Sequence, residues 1–115
     1  MQIKEYNKLV RDYIPDIIRR NGDLCEIDIL GENEYRQALR EKLIEEAQEA
    51  AAANEYDLVT ELADLYEVIE ALMSCYSIAP ENVRAIQQRR RTERGGFEQR
   101  IRLLRTQSSN NMDKD

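Results

Sequence analysis

The stretch EEAQEAAAANEYDLVTELAD, residues 45–64, decides the fold. It places Glu45, Glu46 and Glu49 before an alanine-rich turn, and Glu61 and Asp64 after it. Working outward, Leu39, Leu43, Ala47 and Ala50 share one side of a helix expected from about residue 32 to residue 53. Leu58, Leu62, Leu65, Ile69 and Leu72 recur at near-heptad spacing along a second helix, from about 57 to 76. Asn54 is the expected C-cap of the first helix and Asp57 the expected N-cap of the second. So short a gap predicts an antiparallel helical hairpin.

The rest of the chain fits an all-α class. Only four Gly and two Pro occur among 115 residues, and 35% of the residues are charged. YNKLVRDYIPDIIRRNG, residues 6–22, carries an apolar stripe, with Pro15 suited to a first helical turn and Asn21-Gly22 to a helix stop. LCEIDIL, residues 24–30, alternates apolar and polar residues and reads as a short extended segment. A further helix is expected from Pro80 through ENVRAIQQRRRTER to Gly95-Gly96, with Phe97, Ile101 and Leu104 adding an apolar edge. Residues 1–105 read as one domain, and TQSSNNMDKD, residues 106–115, as a disordered polar tail.

Composition narrows the function classes. The net charge of −6 opposes general nucleic-acid binding, even though basic residues crowd the segment from Arg84 to Arg105. No apolar run approaches the roughly 20 residues that span a bilayer. Cys25 and Cys75 lack a CxxC spacing and read as reduced thiols of a cytoplasmic protein without a signal peptide. The chain has no histidine, which excludes Ser-His-Asp and Cys-His catalysis and His-ligated zinc.

The five acids either face water or surround something positive. Residues three apart lie about 60° apart around a helix and about 4.5 Å along it, so Glu46 neighbours Glu49 and Glu61 neighbours Asp64. About a turn centred on residue 55, Glu49 is level with Glu61 and Glu46 with Asp64. Glu67, Glu70 and Asp57 face no acid in that register, and the side of Glu61 and Asp64 continues into Val68, Ala71 and Cys75. Four carboxylates at close range raise one another's pKa, and a divalent cation relieves the repulsion. An all-oxygen ligand set suits Mg²⁺, with Mn²⁺ as a substitute, and Mg²⁺ leaves coordination positions for waters and phosphate oxygens. Against this, a chain with 23 acids produces three-spaced pairs on solvated faces by chance.

Glu45-Glu46-x-x-Glu49, eleven intervening residues and Glu61-x-x-Asp64 together resemble the signature of the MazG-like, all-α nucleoside triphosphate pyrophosphohydrolases. YNKLVRDYIPDII at residues 6–18 and RGGFEQRI at residues 94–101 are similar to the terminal segments of a subgroup described as phosphoribosyl-ATP pyrophosphohydrolase-like. The resemblance implies a helical homodimer or homotetramer that hydrolyses a nucleoside triphosphate to monophosphate and pyrophosphate. By position, Glu46, Glu49, Glu61 and Asp64 are then the Mg²⁺ ligands. A housekeeping role in the nucleotide pool is the leading expectation, and phosphoribosyl-ATP hydrolysis in histidine biosynthesis is its alternative. A non-catalytic helical interaction or regulatory module is the reading from another class.

In the enzymatic reading Glu45 orients or deprotonates the attacking water. Lys8, Arg11, Lys42 and Arg94 are the expected phosphate-binding residues, although Lys42 also suits an ion pair with Glu46, one turn on. Gly95-Gly96 reads as a helix C-cap rather than a phosphate loop, Asp12 as structural, and Arg89-Arg90-Arg91 as solvated or paired with acids. Phe97 is expected in the core, with Tyr6, Tyr13 and Tyr66 open to base stacking.

Overall fold

Four helices appear among the described residues, in chain order: α1 (Ile14–Arg20), α2 (Glu32–Ala52), α3 (Glu55–Cys75) and α4 (Pro80–Arg94). They are seen in a computed structural model that describes residues 2–109. No strand occurs among those residues, and residues 23–31 connect α1 to α2 without regular structure. Of the polar stretch 106–115, residues 106–109 carry no helix and the remainder lies outside the described residues. The chain divides into two compact units, Met1–Pro80 and Glu81–Asp115, each described by itself.

Each helix end in the first unit has a local cause. Pro15 stands in the first turn of α1, where its missing N–H goes unused. The helix stops in a Schellman turn: Gly22, at φ +91°, donates its N–H to the Arg19 carbonyl, and Asp23 donates to Ile18. At the start of α2 the Gly31 N–H donates to the Glu34 carboxylate.

Between α2 and α3 the capping assignment reverses the sequence expectation. Ala53, extended at φ −71° and ψ 147°, ends α2. Asn54 is the N-cap of α3, its Oδ1 accepting the Asp57 backbone N–H at 2.8 Å, and Asp57 lies inside the helix. An Asn side chain that satisfies an orphan N–H at a helix start is more useful there than after a helix that Ala53 has already ended.

α2 and α3 pack on each other. The register is antiparallel, because residues near the start of α2 meet the end of α3. Arg36 donates to the Cys75 carbonyl at 3.1 Å, and the Arg40 Nε donates to the Tyr76 hydroxyl at 3.1 Å. Both guanidinium groups lie over the Tyr76 ring, at 4.5 and 5.1 Å from its centre. A cation on a terminal carbonyl of α3 offsets the partial negative charge at that helix end. Beyond it Ser77, at φ +56°, completes a second Schellman turn, with Ser77 N–H donating to Ser74 and Ile78 N–H to Met73.

Leu39 (3% exposed) and Val68 (7%) are the buried apolar side chains among the described residues. Val59, Leu62 and Tyr66, at helical spacing along α3, stay exposed. In the second unit α4 ends at Gly95, whose φ of +85° and N–H bond to Arg91 fit a left-handed stop, as its sequence suggests. Arg91 pairs with Glu98 at 2.9 Å. Phe97 is 96% exposed, so it is not a core residue; among the described residues after Gly96 no further helix forms to bury its ring. No helix among the described residues is long and apolar enough to cross a membrane.

Candidate metal centre

The hairpin brings Glu45, Glu46, Glu49, Glu61 and Asp64 together. Carboxylate oxygens of Glu46, Glu61 and Asp64 lie within 4.8 Å of one another, and so do those of Glu45, Glu46 and Glu49. Glu46 belongs to both groups and is the most enclosed of the five, 7% exposed. Its burial follows from its place on α2, two turns after the buried Leu39, against the side of α3 that continues from Asp64 to buried Val68. Glu67, Glu70 and Asp57, which lack acidic partners in the sequence register, are all exposed.

The electrostatics divide the acids. Burial, followed by the Glu49 charge, pushes the Glu46 carboxyl above the usual carboxylate value; Asp64 and Glu45 add to the rise and Lys42 opposes it. Glu61 is also raised, by its removal from water and then by the charges of Glu49, Asp64 and Glu46. Glu45 goes the other way. Burial pushes it up, but Lys42 and Lys8 outweigh that through charge and hydrogen bonds, leaving the carboxyl below its usual value.

Cations already approach the cluster. The Lys42 Nζ lies 3.4 Å from Glu45 and 3.8 Å from Glu46, which realises the ion pair expected one turn along α2. The Lys8 Nζ reaches the same Glu45 Oε1 at 3.4 Å. Arg11 donates to the Asp64 Oδ1 at 2.8 Å. Lys8 and Arg11 belong to the irregular segment before α1, so three of the four expected phosphate-binding cations stand at the acids. The fourth, Arg94, is in the last turn of α4 in the second unit. Asp12 is exposed in the turn leading into α1, and Tyr6, Tyr13 and Tyr66 are exposed as well.

One atom tests whether the residues suit a metal ion. Glu61 Oε1 is shut off from water yet accepts no hydrogen bond. A buried carboxylate oxygen without a donor is costly, and a cation among Glu46, Glu61 and Asp64 would supply the missing partner. The ligand set is all oxygen, which fits Mg²⁺ or Mn²⁺ and not a site for zinc. The residues therefore fit the ion.

Sequence reasoning passed over Arg36, Arg40 and Tyr76, the cation and ring cluster at the open end of the hairpin. The equidistance rule that paired the acids also puts Arg36 level with the end of α3, so the signal was present. Comparison of the chain with family models, with curated proteins and with solved structures found no match.

Proposed function

We propose that the chain is a divalent-metal-dependent nucleoside triphosphate pyrophosphohydrolase, releasing a nucleoside monophosphate and pyrophosphate. The observation that carries this reading is the donorless Glu61 Oε1 in a cluster of carboxylates held by two packed helices. Glu46, Glu49, Glu61 and Asp64 hold Mg²⁺, or Mn²⁺ in its place. The bound ion offsets the charge of the triphosphate and leaves coordination positions for its oxygens.

The chain's own residues supply the rest. Lys8, Arg11 and Lys42 stand where a polyphosphate beside the acids would need positive charge. Glu45 faces two lysines and holds its proton weakly, which suits it to orient the attacking water more than to deprotonate it. The exposed stripe of Val59, Leu62 and Tyr66 supports a dimer or tetramer, in which a second copy covers apolar surface that the hairpin leaves in water. Two free thiols and the nucleotide substrate fit work in the reducing cytoplasm.

Thermal unfolding tests the reading against an inert helical module. Mg²⁺ with a nucleoside triphosphate raises the midpoint of the wild-type protein through binding linkage, and Glu49→Gln loses the response. A midpoint that ignores both additions in the wild-type protein contradicts the proposal.

A further inference from the structure

Lys8 and Arg11 stand three residues apart in one non-helical segment, yet each reaches a different arm of the hairpin. Lys8 pairs with Glu45 on α2 across 37 positions of sequence, and Arg11 with Asp64 on α3 across 53. The segment carrying Lys8 and Arg11 thus tethers both helices at the acids. Its bend is local: Asn7, just before Lys8, adopts φ +47°, a left-handed conformation that Asn tolerates better than most residues.

The tether is weak in a specific way. Residues 2–13 have no helix of their own, and their end is joined to α1 by Ile14 N–H donating to the Arg11 carbonyl and Ile17 N–H to the Tyr13 carbonyl. Both ion pairs are partly solvated, Arg11 being 55% exposed and Lys8 46%. Contacts of this kind each shift a population only a few-fold. A segment held by two such pairs opens locally far more readily than the packed helices beneath it.

The same oxygens cannot serve two cations at full strength. Asp64 Oδ1 is engaged by the Arg11 guanidinium, and Glu45 Oε1 by two ammonium groups. A bare divalent ion entering the cluster meets that occupancy and the repulsion of the positive charges. A polyphosphate arriving with the ion reverses the balance, because it offers the same cations a stronger anionic partner than a single carboxylate.

We propose that the segment carrying Lys8 and Arg11 forms a cationic strap that competes with a bare divalent ion for the acidic cluster and exchanges onto polyphosphate when ion and polyphosphate are both bound. The strap rests on the ion-site reading above and adds to it an order of preference. The site disfavours the ion alone and favours the ion with its anionic ligand.

Calorimetric titration separates the two claims. Mn²⁺ alone, then pyrophosphate in the presence of saturating Mn²⁺, is titrated into four proteins: wild type, Lys8→Gln/Arg11→Gln, the charge-keeping Lys8→Arg/Arg11→Lys, and Glu49→Gln. Circular dichroism confirms equal helix content first. The strap predicts that Lys8→Gln/Arg11→Gln binds bare Mn²⁺ about three- to tenfold more tightly than wild type, the product of two partly exposed ion pairs. It also predicts that this variant binds pyrophosphate several-fold more weakly, while the charge-keeping variant stays within about twofold of wild type on both. Bare-ion affinity that is unchanged or weakened in the neutral variant overturns the strap and leaves the ion site standing, provided wild type binds and Glu49→Gln does not. Absence of Mn²⁺ binding in all four proteins overturns both.

Discussion

Replacing Glu46 by Gln makes the protein more stable without metal and less stable with it. The first half follows from charge geometry. Oxygens of Glu45, Glu49, Glu61 and Asp64 all come within 4.8 Å of Glu46 in its two clusters. At that distance each like-charge pair is worth about 0.9 kcal/mol at the dielectric of water. The Lys42 ammonium at 3.8 Å returns about 1.1 kcal/mol. Four repulsions outweigh one attraction. The cations on Glu45 and Asp64 screen part of the excess, and the buried amide of Gln must find its own partners, which leaves a gain of about 1 kcal/mol. For a unit of this size that raises the unfolding midpoint by about 4–8 °C in EDTA. The second half follows from linkage. With Mg²⁺ at ten times its dissociation constant, wild type gains about 1.4 kcal/mol that a protein lacking its central ligand does not. The two melting curves therefore exchange order on adding Mg²⁺, by differential scanning fluorimetry or calorimetry. A Glu46→Gln protein that is less stable in EDTA refutes the reasoning, because the Lys42 pair would then dominate the site.

Three further outcomes follow from the same structure. Asn54→Ala removes the side chain that accepts the Asp57 N–H and costs about 1 kcal/mol, whereas Asn54→Asp keeps the cap; urea denaturation distinguishes them. Ser77→Gly relieves a left-handed residue at the end of α3 and adds about 0.5 kcal/mol in the same assay, with no change in ion response. Raised folded-state values at Glu46 and Glu61 mean that the metal-free native state holds protons more tightly than the unfolded chain. Its midpoint therefore rises as pH falls from neutrality toward the ordinary carboxylate value of 4.5. Below that value the trend reverses as Glu45, whose carboxyl is lowered, loses its lysine pairs. Saturating Mg²⁺ removes the rise, since the ion needs the carboxylates deprotonated.

The hairpin was legible because the short gap between two helical periodicities forces an antiparallel pair. The leucine stripe marks the packed side only in part, since Leu58 and Leu62 stay exposed, whereas the three-residue spacing of the acids fixes the register that brings Glu46 to Asp64. Val68, continuing the acid side of α3, is buried as that register requires. The cap was misread because Asn serves at both kinds of helix end and Asp57 is an ordinary N-cap type. Nothing local in ANEYD says which carbonyl or N–H the side chain will meet. Phe97 misled for a related reason: a large ring signals a core only where later chain returns to cover it. The pairings of Lys8 with Glu45 and Arg11 with Asp64 span too much sequence for any periodic rule. Those cations were singled out through a resemblance, and their contacts come from the fold.

The central claim is that this acidic cluster supports release of pyrophosphate from a phosphoanhydride. The direct measurement follows pyrophosphate and orthophosphate release from a panel of standard, deoxy and modified nucleoside triphosphates, with phosphoribosyl-ATP included. It is run with Mg²⁺, with EDTA, and with Glu49→Gln. The account predicts pyrophosphate, not orthophosphate, from at least one compound, abolished by EDTA and by the Glu49 amide. Pyrophosphate release that persists in Glu49→Gln, or none from any compound with Mg²⁺ present, contradicts it.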